Sequence, residues 1–325
     1  MKIAFLGTHN GFTASLHREL VHALPGHECR LWNEGEVAPA NDIELLLVNG
    51  AVHREQFLDQ PKLNFIQTVS TGFEALDIDA ATQLGIWVSF APSDETGNAT
   101  SVAEFAVLLL LGASRRLAED IAFVHSGSAP VRRPSPALDG KTVCIVGLGS
   151  IGLRVAERLR GFGVSVIGTD EHPERAPHYI KAYPADHLKA AVGEADFVVI
   201  CVRASKENEN LIDRSILRAM KRGVVLVNVA RGSLIDEEAL HTAILEGWVG
   251  AAGLDVMRDE PVNRANPLLT LPQVLITPHV AAFTDIMLAG TAAFVSTVIN
   301  EVAEGKKPSS ILNSPQFPRL SLKTQ

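Results

Sequence analysis

Residues 142–152 read Thr-Val-Cys-Ile-Val-Gly-Leu-Gly-Ser-Ile-Gly. The apolar run Val143 to Val146 leads straight into Gly147-Leu148-Gly149-Ser150-Ile151-Gly152. Behind it, Ile151, Val155 and Leu159 keep a helical spacing. A glycine pattern alone is weak, but strand, glycine turn and helix in this order predict the first unit of a dinucleotide-binding sheet. Gly147 permits the tight turn, Gly149 lets a pyrophosphate approach the backbone, and Gly152 lets helix and strand pack closely. The helix opening at Ser150 and Ile151 then offers N–H groups and partial positive charge to phosphate. A second run, Val164 to Thr169, ends in Asp170, eighteen residues after Gly152. That is near the spacing of an acid that holds a ribose 2′-OH. A carboxylate there repels a 2′-phosphate, so NAD is expected over NADP, with Arg175 and Arg203 as the cations that bear on the choice.

Outward from this unit, four more strand-like runs follow: Phe197 to Val202, Val224 to Val229, Gly250 to Asp255 and Val274 to Thr277. Helical patterns at Ser150 to Gly161, His187 to Val192, Arg214 to Met220 and Glu237 to Glu246 separate most of them. Six parallel strands with crossover helices predict a doubly wound domain. The N-terminal part alternates in the same way. Strands are expected at Lys2 to Leu6, Glu28 to Trp32, Ile43 to Val48, Asn64 to Val69 and Ile86 to Ser89, and helices at Thr13 to Leu24 and Asp79 to Leu84. Asp94 to Ser101 reads as a hinge, Val102 to Leu117 as a helix apolar nearly all round, and Ser126 to Pro136 as an extended connector. Thr284 to Glu304 is a final amphipathic helix.

The chain has 325 residues, a length expected to make about two domains. Its net charge is −8, so its field does not favour nucleic acid or anionic membranes as partners. The pairs Arg115-Arg116 and Arg132-Arg133 read as local salt bridges or solvated charges. Three cysteines, Cys29, Cys144 and Cys201, are far apart and show no metal spacing, which predicts a reducing, cytoplasmic setting and no metal site. The first residues carry no secretory signal, and the apolar run Phe105 to Ala113 is about half a membrane span.

Three polar residues stand at or just beyond the ends of later strands, the edge where such sheets bind ligands. They are Arg231 in Asn-Val-Ala-Arg-Gly, Glu260 in Asp-Val-Met-Arg-Asp-Glu-Pro and His279 in Thr-Pro-His. Reducing a 2-oxo acid needs a cation for its carboxylate and carbonyl, and an acid for the developing alkoxide. Arginine's fork suits the first task and histidine's titration range the second. A carboxylate beside the histidine orients it and favours its charged form. Taken singly, each residue also has a plain structural reading: a capped turn, a loop acid, a satisfied histidine.

Together these residues resemble the D-isomer-specific 2-hydroxyacid dehydrogenases, from about Ile66 to Asn313. Val227 to Glu237 is similar to the family's arginine signature, Ala252 to Val256 with Glu260-Pro261 to its glutamate signature, and Thr277 to Ala281 to its histidine signature. Asn98 to Glu104 resembles the start of its interdomain helix. The resemblance implies that Arg231 binds substrate, that His279 is the acid/base and that Glu260 is its partner. It implies that Asp255 meets the nicotinamide carboxamide and that Ala230 lies against the cofactor. It further implies that Ser70, Thr71 and Gly72 offer N–H groups to a substrate carboxylate, with Asn98 near the active site. Two Rossmann-like domains are implied. The cofactor domain (97–283) is inserted into a flavodoxin-like substrate domain (1–96 and 284–325), with no regulatory domain and a homodimer through the cofactor domain.

Three positions depart from the usual pattern: Ser70 where glycine is common, and Cys201 and Arg203 where His and Pro are often found. They bear on pocket shape rather than on the reaction. Residues 49–54 offer Arg54 but no arginine-rich pattern, so an unphosphorylated substrate, glyoxylate or hydroxypyruvate, is expected over 3-phosphohydroxypyruvate. Two alternatives stand beside this reading: a corepressor-like protein that senses NAD(H) and binds a partner, and a phosphite dehydrogenase. Formate-type relatives carry a glutamine where Glu260 stands, which argues against formate.

Overall fold

Five parallel strands form the first sheet: β1 (Lys2–Gly7), β2 (Glu28–Asn33), β3 (Leu45–Asn49), β4 (Phe65–Thr68) and β5 (Trp87–Ser89). Their order is β2-β1-β3-β4-β5. Helices α1 (Gly11–Ala23), α2 (Arg54–Leu58) and α3 (Ile78–Gln83) connect them. β3, β4 and β5 are buried on both faces except at Asn49, which is why they read as continuous apolar runs rather than alternating ones. The computed structural model describes residues 1–7, 11–50, 52, 54–127 and 133–323. The chain divides into two units, Met1–Asn98 with Phe283–Gln325, and Ala99–Ala282.

The second unit begins with the body of α4 (Asn98–Ser114) and continues with α5 (Leu117–Ser126). Its sheet holds β6 (Thr142–Val146), β7 (Ser165–Asp170), β8 (Ile180–Pro184), β9 (Phe197–Ile200), β10 (Val224–Asn228), β11 (Val249–Leu254) and β12 (Val274–Ile276). The crossovers are α6 (Ser150–Leu159), α7 (Leu188–Glu194), α8 (Arg214–Ala219) and α9 (Glu237–Leu245). The strand order β12-β11-β10-β9-β6-β7-β8 is doubly wound, and every pairing is parallel. The expected fold class is thus observed: two parallel α/β sheets.

The chain then returns to the first unit through α10 (Asp285–Ala303). Thr284 caps this helix by accepting from the Met287 N–H at 3.2 Å. It is the one described helix long and apolar enough to cross a membrane, yet Ala292, Val295, Val298 and Ile299 pack in one core with Leu16 and Leu20 of α1. Burying a valine, leucine or isoleucine side chain contributes about 1.5–3 kcal/mol relative to leaving it in water.

Four sequence expectations change. The second sheet has seven strands, not six, because β8 pairs with β7 at the edge. The hinge expected at Asp94 to Ser101 gives way to helix from Asn98, since α4 starts there. The helix expected to run to Leu117 breaks at Arg116, which takes the left-handed conformation (φ 54°), and α5 follows as a separate helix. Cys201 lies just past β9 rather than inside it, its N–H donating to the Val146 carbonyl. Arg132 and the middle of the expected connector, 128–132, lie outside the described residues, as do Ala51 and His53. Among the described residues no group of His, Cys, Asp and Glu is placed to hold a metal. Burial pushes the Cys29 thiol up to about 11 and the Cys144 and Cys201 thiols up to about 12, so none is a thiolate at neutral pH.

Candidate active site

In the second unit the glycine turn sits at the switch of strand order, where β6 lies between β7 and β9. Gly147 has φ +94°, and a Cβ there would lie 2.6 Å from the Val202 backbone. A Cβ on Gly152 would lie 2.0 Å from the Gly147 carbonyl oxygen. Both positions therefore require glycine for the turn itself. Gly149 differs: it is exposed, it opens α6, and nothing lies within 4 Å of its Cβ direction. Open space over a helix N-terminus fits a phosphate group, with Ser150 and Ile151 in the first turn.

Asp170 closes this loop from β7. One carboxylate oxygen accepts from the Leu148 N–H at 2.8 Å and the other from the His172 N–H at 2.9 Å. The acid thus holds the glycine loop as well as the position expected to meet a ribose. Arg175 lies 3.8 Å from Glu174.

The catalytic candidates gather on the loops after β10, β11 and β12. His279 Nδ1 and Glu260 Oε2 are 2.7 Å apart, and the other Glu260 oxygen accepts from the Met257 N–H at 3.0 Å. Both side chains reach solvent, at 46% and 38% exposure, so the pair is open to a small ligand. Partial burial raises the cost of ionising Glu260. The bond to His279, its charge, the Met257 N–H and the Arg231 charge outweigh that cost and hold the carboxyl below its ordinary value. Glu260 is therefore a carboxylate at neutral pH, a fixed negative charge beside the imidazole.

Arg231 is half-buried on the turn after β10, its guanidinium donating to the Ala230 carbonyl at 2.8 Å. The buried Asn228, unremarked in the sequence, shapes this turn. Its Oδ1 accepts from the Ala230 N–H at 3.0 Å and its Nδ2 donates to the Arg231 carbonyl at 2.9 Å. A buried amide at the end of the run Val-Val-Leu-Val-Asn was the available signal.

His279 itself has φ +54°, an uncommon conformation for a residue with a Cβ. Asp255 stabilises it. The Asp255 carbonyl accepts from the His279 N–H at 2.8 Å, and its carboxylate accepts from Thr277 Oγ1 at 2.7 Å and from the Val280 and Ala281 N–H groups at 3.0 Å each. Asp255 is 1% exposed. Its carboxylate and carbonyl serve the turn that carries His279, and its N–H donates to the Asn228 carbonyl at 3.0 Å.

The expected substrate loop belongs to the first unit. After β4, Thr68 Oγ1 donates to the Ser70 carbonyl at 2.7 Å, Ser70 Oγ to the Gly72 carbonyl at 2.9 Å and Thr71 Oγ1 to the Ala91 carbonyl at 3.1 Å. Hydroxyls thus occupy the Ser70 and Gly72 carbonyls of this loop, while no described acceptor takes the Thr71 or Gly72 N–H. Asn98 is half-buried at the first residue of α4 and ends the first segment of this unit.

The chain is similar to known dehydrogenases and reductases. Residues 107–281 match the model of the D-isomer specific 2-hydroxyacid dehydrogenase, NAD binding domain. The chain is 32% identical to the glyoxylate reductase of Thermococcus litoralis, over 88% of this chain and 91% of that one. It is 34% identical to the D-3-phosphoglycerate dehydrogenase of Methanocaldococcus jannaschii over 86% of its own length, but spans only 54% of that longer protein. Among solved structures, an NADPH-dependent glyoxylate/hydroxypyruvate reductase from Sinorhizobium meliloti superposes with a TM-score of 0.81 at 27% identity, covering 98% of this chain and 99% of that one.

Proposed function

The chain belongs to the D-isomer-specific 2-hydroxyacid dehydrogenase family, and from that premise we propose that it reduces glyoxylate to glycolate, or hydroxypyruvate to D-glycerate, with NADH. The observation that carries this reading is the 2.7 Å bond between His279 and Glu260, with the Arg231 charge acting on the same carboxylate. Arg231 binds the substrate carboxylate and polarises the carbonyl. NADH, when bound, supplies the hydride for the carbonyl carbon. His279 delivers a proton to the carbonyl oxygen, and Glu260 orients the ring. The N–H groups of the Ser70 to Gly72 loop receive the carboxylate, with Asn98 contributing to the substrate site. Gly147, Gly149, Ser150, Ile151 and Gly152 hold the pyrophosphate, Ala230 and Asp255 lie on the nicotinamide side, and Asp170 holds the ribose.

Asp170 supports NAD over NADP, because both its oxygens stay fixed as acceptors by Leu148 and His172. The phosphate group of a 3-phospho substrate lacks an arginine cluster on 49–54, where Arg54 instead donates to Gln83 at 3.4 Å. A homodimer fits α5, which buries no residue of its own and leaves Leu117, Ile121 and Val124 43%, 48% and 80% exposed on one face. The three unpaired cysteines fit a cytoplasmic setting.

The test follows loss of NADH and NADPH absorbance with glyoxylate, hydroxypyruvate, pyruvate, phenylpyruvate and 3-phosphohydroxypyruvate, and reduction of NAD with phosphite. Fastest turnover of NADH with glyoxylate or hydroxypyruvate is expected. Equal or better turnover of the phosphorylated acid overturns the substrate assignment. Turnover of phosphite alone, or of nothing despite NADH binding, overturns the reaction.

A further inference from the structure

Arg258 lies in the loop that carries Glu260, but it is neither in the glycine motif nor in the catalytic trio. Its guanidinium reaches two other loops. On the loop after β9 it donates to Glu209 Oε1 at 2.8 Å and to Asn210 Oδ1. On the loop after β10, beyond Arg231, it approaches the Ser233 and Ile235 carbonyls at 3.4 Å each. Its own N–H donates to Glu237 Oε1 at 2.7 Å, at the start of α9.

The backbones beneath these bonds touch as well. A Cβ on Gly232 would lie 2.0 Å from the Met257 carbonyl carbon and 2.3 Å from the Arg258 nitrogen. Gly232 directly follows Arg231, and the Met257 N–H holds Glu260 at 3.0 Å. The Asn210 N–H also donates to the Ser233 carbonyl at 2.8 Å. Arg231 and Glu260 thus stand on loops whose spacing is set by one contact, and a single guanidinium ties that contact together.

We propose that Arg258 is a positioning residue, which locks the loop of Glu260 to the loop of Arg231 and so holds the His279–Glu260 pair in register with the arginine. The proposal rests on the oxo acid reduction described above for its kinetic consequences, and on geometry alone for its structural ones. The fork of the guanidinium matters, because it meets a carboxylate, an amide oxygen and two carbonyls from one plane. An ammonium cannot serve these directions together.

The test compares Arg258→Met, Arg258→Lys and Glu209→Gln with the wild type in the full chain. Two readouts are taken. The first is the downfield Nδ1 proton resonance expected of an imidazole bonded to a carboxylate at 2.7 Å, assigned to His279 by its loss in His279→Ala. Arg258→Met is expected to broaden or abolish this resonance, Arg258→Lys to restore part of it, and Glu209→Gln to weaken it least. The second is the rate of oxo acid reduction against pH. Arg258→Met is expected to lower kcat about tenfold and to change the shape of the pH profile, with NADH affinity within twofold of wild type.

An unchanged resonance in Arg258→Met overturns the inference whatever the substrate proves to be. So does a fall in thermal midpoint with the resonance and pH profile intact, since that is a purely structural role. If the wild type turns over no oxo acid while the resonance still responds, the reading of the reaction fails and the positioning role stands. If Arg258→Met does not fold, the lysine and Glu209 variants decide by the same resonance.

Discussion

The loop after β4 and the loops after β10, β11 and β12 close strands in the same way but with different chemistry. Residues 68–73 carry no ionisable side chain; three hydroxyls occupy carbonyls, and the Thr71 and Gly72 N–H groups have no described acceptor. The other loops hold Arg231, Asp255, Arg258, Glu260 and His279, bonded to one another or to the turns that carry them. On the proposed function the difference separates two tasks. A cradle of N–H groups binds an anion without titrating. A bonded histidine–carboxylate pair exchanges a proton and depends on pH. Substitutions in the first loop should therefore change KM, and substitutions in the others should change kcat and its pH dependence.

The strongest way to break this contrast is His279→Ala. Loss of a general acid typically costs 10²–10⁴ in rate. Steady-state assays should show kcat reduced by about that factor, with NADH affinity by fluorescence titration nearly unchanged. Equal loss of NADH binding would make the histidine part of the fold, not of the proton path.

Glu260→Gln sharpens the same side. Glu260 is held below the ordinary carboxylate value, so it contributes its charge at neutral pH and loses that contribution only as pH falls through its own depressed value. Reduction needs a proton on the imidazole, and the carboxylate orients the ring that delivers it. Removing the charge should therefore cost about tenfold in kcat at neutral pH and abolish the acid limb that comes from protonating Glu260. A profile that keeps its limb would show that Glu260 only shapes the loop.

Asp170→Ala probes the cofactor side. Hydrogen bonds to charged groups contribute about 1.5–3 kcal/mol, so losing them should weaken NADH about tenfold or more and narrow its advantage over NADPH. The measurement is paired Kd values for the two cofactors. Unchanged preference would move the discrimination elsewhere, to Arg175 or Arg203.

How much of this was legible in the sequence depended on range. β6, the glycine turn and α6 are contiguous, and their pattern was readable because each residue acts on near neighbours. β8 was missed because Ile180 is its only buried residue, which leaves no period to read. The break at Arg116 was missed because no glycine or proline marks it. Asp255 was readable as a strand-end acid, but its bonds to Val280 and Ala281 join residues 25 and 26 positions apart. Arg258 gave no signal at all, since its partner Glu209 lies 49 positions away. Local turns are written in local residues; the alignment of one turn with another is not.

Ser70→Ala is the smallest change and the finest test of the contrast. Ser70 stands where relatives of the resembled family commonly carry glycine, and its hydroxyl donates to the Gly72 carbonyl at 2.9 Å. That bond holds the Gly72–Phe73 peptide and so closes the turn that carries the Thr71 and Gly72 N–H groups. A net contribution of about 0.5–1.5 kcal/mol corresponds to a few-fold to tenfold change in affinity. KM for the oxo acid should rise by that factor, with kcat and the pH profile unchanged, because no titrating group is touched. A fall in kcat with KM constant would mean that the loop acts on the transition state alone, and the division between a binding loop and a proton-transferring site would have to be given up.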